Sequence, residues 1–319
     1  MLNALYLLLG IGLLTAGGEA LIRGALGVSK RLGVSPLLSG LVIVGFGTSM
    51  PEMVVSVDAV ISGQPDIAIG NVVGSNIANI LLILGLCALI TPLSVSATAL
   101  GRDAIVVIVT SLLFVGLAWG VGLAQIDGFI LLAALAAYLI WAYLSEKNSP
   151  APSGVMHEAE AAEINVLPGS LAWSIGTTVL GLALLIAGSQ VLLKGAVGIA
   201  ELFGVSQAVI GLTLVAVGTS LPELTISVVA ALRRHADVAV GNILGSNIFN
   251  LLGILGVSAL VQPLAVSGRI ASFDQWVMLG LSVLLFAFLY TGRRLSRLEG
   301  GILLGGYLAY VTVSYSLLG

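Results

Sequence analysis

Two short motifs each occur twice in this 319-residue chain, at one common spacing. G-T-S-M-P-E at 47–52 returns as G-T-S-L-P-E at 218–223. G-N-V-V-G-S-N-I-A-N-I-L at 70–81 returns as G-N-I-L-G-S-N-I-F-N-L-L at 241–252, agreeing at 8 of 12 positions. Both pairs are offset by 171 residues. Two separate motifs sharing one offset mean that the chain is a duplicated unit, so whatever the first half folds into the second half folds into again.

The solvent for that unit follows from its polarity. Only 8% of residues are charged and the mean hydropathy is +1.15, against about 25% charged in a soluble domain. A helix needs about 20 mostly apolar residues to cross a bilayer. Ten stretches qualify: 3–22, 37–60, 66–90, 103–121, 127–145, 170–193, 206–231, 237–261, 273–291 and 299–317. The first has no basic segment before its apolar run and reads as a spanning helix, not a cleaved signal. The remaining long polar stretch, 146–168, is rich in Pro, Ser and acid and joins the halves. The expected organisation is an all-α membrane protein with a first five-helix repeat at 1–145, a linker at 146–168 and a second repeat at 169–319. Cys87, the single cysteine, rules out an internal disulfide or Cys-rich metal site. No basic patch suggests nucleic acid.

An odd number of spans per unit inserts the second copy upside down. Basic residues agree with this. Arg23, Lys30, Arg31, Arg102, Lys147, Arg233, Arg234, Arg293, Arg294 and Arg297 fall in loops after odd-numbered helices; only Lys194 and Arg269 fall in the others. Cytoplasmic loops carry the excess of Lys and Arg, which places the linker inside and both termini outside. Inverted repeats are a transporter design, with the site near the midplane where the repeats meet.

Glu52 and Glu223 lie well within apolar spans. A carboxylate at that depth costs several kcal/mol and is functional by default. The competing reading, a protonated Glu bonded to a neighbouring helix, is weakened because the Glu occurs in the same motif of both halves. Each follows a proline, Pro51 or Pro222, which removes an N–H and crowds the carbonyl four residues back, at Gly47 or Gly218. A simple kink is the alternative there. Thr48 shares a helix face with Glu52, with Ser49 adjacent; Thr219, Ser220 and Glu223 repeat the pattern. Asn71, Ser75 and Asn79 form one stripe, repeated as Asn242, Ser246 and Asn250. Interhelical hydrogen bonding is an equal reading for Asn71, Asn76, Asn242 and Asn247. No His or Cys lies in these motifs. A donor set made wholly of oxygen suits a hard cation such as Ca2+, which takes about 6–8 oxygens. Two carboxylates would neutralise one Ca2+. The acids Glu19, Asp58, Asp66, Asp103, Asp127, Asp274 and Glu299 fall near span ends, where water or headgroups would solvate them.

G-T-S-x-P-E with G-S-N-x-x-N, twice, closely resembles the Ca2+/cation antiporter superfamily, specifically prokaryotic sodium/calcium exchangers. The resemblance covers both repeats. It implies ten helices in two inverted five-helix repeats, with broken helices 2 and 7 facing helices 3 and 8. It also implies antiport of Ca2+ against Na+ by alternating access, with the Gly-rich helices 1 and 6 as sliding gates. The implied ligands are Thr48, Ser49, Glu52, Ser75 and Asn79, then Thr219, Ser220, Glu223, Ser246 and Asn250, with the carbonyls of Gly45 and Ala216 joining for Na+. Ca2+ and Na+ would be cargo, with no cofactor and no protein partner implied, in the plasma membrane of a prokaryote. Many members carry an acid where this chain has Asn250.

A Ca2+/H+ antiporter, or one for another divalent ion such as Mg2+, would keep the same fold. A cation channel is a further alternative, separable by flux saturation and counter-ion dependence. An intramembrane enzyme is disfavoured, because neither H-E-x-x-H nor G-x-S-x-G occurs.

Overall fold

The computed structural model describes residues 2–32, 43–95, 99–119, 122–147, 170–202, 216–266 and 268–318. Nearly all of the 146–168 linker, and the starts of the expected spans 37–60 and 206–231, lie outside them. In the first half, α1 is Leu2–Leu32, α2 is the single turn Gly45–Thr48 and α3 is Met50–Ile61. Then come α4 (Pro65–Ile90), β1 (Leu93–Ser94), α5 (Ala99–Ala104 continuing into Ile105–Leu117) and α6 (Gln125–Lys147). The second half runs α7 (Leu171–Leu202), α8 (Ala216–Thr219), α9 (Leu221–Leu232), α10 (Ala236–Val261), α11 (Ile270–Tyr290), β2 (Arg294–Leu295) and α12 (Arg297–Leu318).

Six stretches among the described residues are helical, long and apolar enough to cross a membrane: Leu2–Leu32, Pro65–Ile90, Gln125–Ser145, Leu171–Gly195, Ala236–Val261 and Ile270–Tyr290. α4 and α10 bury most of their length at the centre, whereas α1, α6, α7 and α11 leave most of theirs exposed. The exposed residues are large and apolar, among them Leu8, Val54, Ile61, Ile126, Trp173 and Leu308. A surface of that kind fits lipid and would aggregate in water.

The expected first span, 3–22, is about ten residues too short at its C-terminal end, whereas the sixth, 170–193, matches the span Leu171–Gly195, beyond which α7 continues as helix to Leu202. Arg23, Lys30 and Arg31 ride on α1 and not in a loop. Arg23 pairs with Glu19 one turn back, which lets the helix run on past the apolar core. The all-helical expectation also misses a small antiparallel ladder. Leu93 pairs with Leu295 and Leu123 bridges to Leu264, so segments between the helices of one half pair with those of the other.

α1 and α7 lie antiparallel along a seam of glycines. Gly10, Gly17 and Gly24 repeat every seven residues on α1; Gly181, Gly188 and Gly195 do so on α7. A Cβ on Gly17 would sit 2.8 Å from the Leu185 nitrogen, and one on Gly188 would sit 2.9 Å from that of Leu14. Small residues at this period let two membrane helices pack backbone to backbone.

Asp103 and Asp274 are not solvated at span ends as expected. Asp103 is buried against the Arg102 guanidinium, with Nε at 2.7 Å, and accepts the Tyr138 hydroxyl at 2.9 Å. Asp274 takes Arg269 and Tyr310, each at 2.9 Å. In each case an arginine within a few residues and a tyrosine from the following helix replace water around the charge, tying α5 to α6 and α11 to α12.

Candidate functional site

The chain leaves helical geometry at Ser49 (φ −82°, ψ 6°) and again at Ser220 (φ −87°, ψ 10°). Each break is a fresh helix start and not a bend. Pro51 and Pro222 fall in the first turn of α3 and α9, where a missing N–H costs nothing. Glu52 and Glu223 therefore sit at helix N-termini, whose partial positive charge favours an anion. Ser49 and Ser220 occupy the cap positions, yet neither side chain caps its helix.

Their hydroxyls cross over instead. Ser49 Oγ donates to Glu223 Oε1 at 2.9 Å, and Ser220 Oγ donates to Glu52 Oε1 at 3.0 Å. Ser220 also lies 3.4 Å from Ser75 Oγ, which brings α4 into the group. Both carboxylates are buried, at 0% and 1% exposure, and the Oε2 of each has no protein partner. Asn79 Oδ1 and Asn250 Oδ1 are likewise buried and unpartnered. The remaining buried, unpartnered oxygens among the described residues, Ser258 Oγ and Gln275 Oε1, lie outside both motifs. A buried acceptor without a donor is costly, the more so when charged, and a cation removes that cost.

The Gly45 carbonyl gathers three donors: Ser49 N–H at 3.3 Å, Thr48 Oγ1 at 3.2 Å and Ser246 Oγ at 3.0 Å. Here the second motif of one half meets the first motif of the other. A Cβ at Gly45 would lie 2.9 Å from the Asn242 carbonyl oxygen, so glycine permits the approach. The carbonyls of Gly47 and Gly218, expected to lose their helical partners to Pro51 and Pro222, find substitutes within the protein. Gly47 accepts a backbone N–H at the end of its turn, and Gly218 accepts Ser189 Oγ at 2.6 Å.

Asn71 donates to the Glu52 carbonyl at 3.3 Å and to Ser56 Oγ at 3.0 Å. Asn242 repeats this with the Glu223 carbonyl at 3.2 Å and Ser227 Oγ at 2.9 Å, and its own oxygen accepts Thr48 Oγ1. Sequence reasoning passed over Ser56 and Ser227; the signal was present, since they are polar residues at one offset in both halves. It also missed the local widening of the helix to π geometry at Asn79–Leu84 and Asn250–Ile254. Such widening is frequent at functional sites, but no residue type announces it. Of the residues named from sequence, Gly45, Thr48, Ser49, Glu52, Ser75, Ser220, Glu223 and Ser246 fall within or against the crossed network. Asn79 and Asn250 lie one turn along α4 and α10. Thr219 and Ala216 form the ends of α8.

The chain matches the family described as sodium/calcium exchanger protein over residues 2–144 and 173–316. It is 34% identical to the sodium/calcium exchanger MaX1 of Methanosarcina acetivorans over 98% of both chains. It is 33% identical to the inner membrane protein YrbG of Escherichia coli, over 99% of this chain and 97% of that one. Its fold superposes on the sodium-calcium exchanger NCX_Mj, soaked with zero Na+ and Ca2+, with a TM-score of 0.84 and 30% identity over 98% of each chain. A family match in both halves, relatives similar along almost their whole length, and a shared fold identify this chain as a member of the sodium/calcium exchanger protein family.

Proposed function

We propose that the chain carries Ca2+ and Na+ in turn through one site, built where its two inverted halves cross. As an exchanger of this family it is an integral membrane antiporter that trades Ca2+ for Na+. The ions are cargo, not cofactors, and it is not an enzyme. The proposed ligands are Gly45, Thr48, Ser49, Glu52, Ser75 and Asn79 from one half, and Ala216, Thr219, Ser220, Glu223, Ser246 and Asn250 from the other. The observation that carries the reading is the set of four buried oxygens without donors, on Glu52, Glu223, Asn79 and Asn250. All four belong to the repeated motifs, and together they offer a divalent ion two formal charges and hard oxygen donors.

The architecture proposed around the site has ten spans: 1–145 and 169–319 as inverted five-helix units, with 146–168 as a cytoplasmic linker and both termini outside. Two backbone positions support the inversion. Gly63 and Gly122 adopt left-handed φ of 74° and 103°; their counterparts 171 residues on are Arg234 and Arg293, at 61° and 52°. A non-glycine residue there costs about 1–2 kcal/mol. Arginine at both positions of the second half alone fits loops that face the cytoplasm, where positive charge is favoured. Alternating access would come from α1 and α7 sliding together along their glycine seam over the fixed site. The host membrane would be the inner membrane of a prokaryote.

Ca2+ uptake into proteoliposomes holding the purified chain tests the reading. Uptake should saturate with Ca2+ and require an outward Na+ gradient. Uptake that ignores Na+ but follows a pH gradient would indicate proton coupling, and uptake that does not saturate would indicate a channel; either overturns the proposal.

A further inference from the structure

The two asparagines proposed as ligands are held in different ways. Asn250 donates Nδ2 to Asn76 Oδ1 at 2.9 Å, and Asn79 donates Nδ2 to Asn247 Oδ1 at 2.9 Å. Each amide of one half thus rests on a non-ligand amide of the other. Asn76, however, also donates its own Nδ2 to the backbone carbonyl of Asn247 at 3.2 Å. The counterpart contact is missing: Asn247 Nδ2 is buried and has no partner.

This difference decides which way each amide faces. The oxygen and nitrogen of an asparagine side chain are nearly the same size, so hydrogen bonding alone sets its orientation. A backbone carbonyl can only accept. The end of Asn76 that meets the Asn247 carbonyl must therefore be its NH2. The end that meets Asn250 must be its oxygen. Asn250 must then turn its NH2 toward Asn76, which leaves Oδ1 free of protein donors, as found. The order is one-way, from a backbone carbonyl through Asn76 to Asn250. In the other pair, turning both Asn79 and Asn247 over exchanges one hydrogen bond for an equal one, so no backbone group fixes the Asn79 oxygen.

We propose that Asn76 is a positioning residue that holds Asn250 as an oxygen ligand, a role that its counterpart Asn247 does not share for Asn79. The proposal rests on the reading of Asn250 as part of the ion site. Asn250 Oδ1 is then set before an ion arrives, whereas Asn79 is set by the ion. Asn76 itself need never touch the cargo. Residues that orient a ligand without binding the metal often carry a tenfold or greater share of its affinity.

The test compares Asn76→Leu, Asn247→Leu and Asn250→Ala, with Asn76→Leu also placed in the Asn250→Ala background. Half-saturating Na+ and Ca2+, maximal rate and thermal unfolding are measured for each. Asn76→Ala removes the same amide without branched bulk and stands in if the leucine variant does not fold. Asn76→Leu should raise the half-saturating ion concentration about tenfold with the maximal rate largely kept. It should add less than about twofold once Asn250 is alanine, because coupled residues are not additive. Asn247→Leu should have a clearly smaller effect than Asn76→Leu. Full additivity with Asn250→Ala, a loss confined to melting temperature and maximal rate, or equal effects at 76 and 247 would overturn the proposal. Should Asn250→Ala alone leave both ion affinities unchanged, the placement of Asn250 in the ion site fails, and the role of Asn76 falls with it.

Discussion

Ser49 stands at the start of α3, in the place of a helix cap, yet its hydroxyl is turned to Glu223 Oε1 of the other half, 2.9 Å away. Ser220 does the same for Glu52. Each half therefore leaves its own helix uncapped and supports the carboxylate of the other. A hydrogen bond to a charged group is worth about 1.5–3 kcal/mol, while a lost cap interaction would cost about 1. Ser49→Ala should therefore leave helix stability nearly unchanged, since no cap bond is lost, and raise half-saturating Ca2+ about tenfold. Ca2+ titration of folded protein alongside circular dichroism reads both. A large loss of helix signal with unchanged Ca2+ binding would return Ser49 to a capping role.

The glycine seam predicts a split between binding and turnover. A side chain at Gly17 would push against the backbone of α7 at Leu185, whereas nothing lies within 4 Å of the position a Cβ would take at Gly12 on the same helix. Gly17→Val should slow exchange about tenfold or more while half-saturating ion concentrations move less than about threefold, because the proposed sliding of α1 and α7 would depend on the seam while the proposed ligands lie on other helices. Gly12→Val should do neither. Initial rates of Ca2+ flux over a range of Ca2+ separate the two effects.

The buried Arg102–Asp103 pair makes a prediction about stability. Removing one partner of a buried pair strands the other charge, at a cost of about 3–5 kcal/mol. Asp103→Ala should therefore lower the unfolding midpoint in detergent well below that of Asp274→Ala, because the Arg269–Asp274 pair is more open to solvent. Ion affinity of the folded fraction should be unchanged in both. Equal destabilisation would mean that burial does not set the difference.

Much of this fold was legible because lipid permits so few solutions. A stretch of about 20 apolar residues announces a span, and two motifs at one offset announce the duplication. The end of α1 was not legible, because the helix continues beyond the apolar core once a pair such as Glu19–Arg23 satisfies its charges. Within the site, residue types and their spacing pointed to Glu52, Glu223 and their neighbours. The crossing of Ser49 to Glu223, the anchoring of Asn76 on the Asn247 carbonyl, and the enclosure of Asp103 by Arg102 and Tyr138 were hidden. Each of these depends on which helix faces which, and that is a tertiary fact with no local signal.

Orientation has its own test. The proposed topology, which rests on the bias of Lys and Arg, Arg234 and Arg293 at left-handed turns among them, would put the central linker inside. With buried Cys87 replaced, a cysteine introduced as Ser153→Cys should resist impermeant thiol reagents in intact cells and react after lysis. Ready labelling of intact cells would reverse the topology.

The central claim is that two buried carboxylates, one from each half, form the ion site. Glu52→Gln and Glu223→Gln keep the shape and one oxygen of each side chain while removing half of the charge offered to a divalent ion. The decisive measurement is Na+-driven Ca2+ uptake in proteoliposomes made with equal amounts of folded parent or variant protein. Each substitution should cut uptake about a hundredfold or more, with unfolding midpoints close to the parent or above it, since a neutral amide is easier to bury than a lone carboxylate. Uptake at the parent rate in either variant would contradict the account.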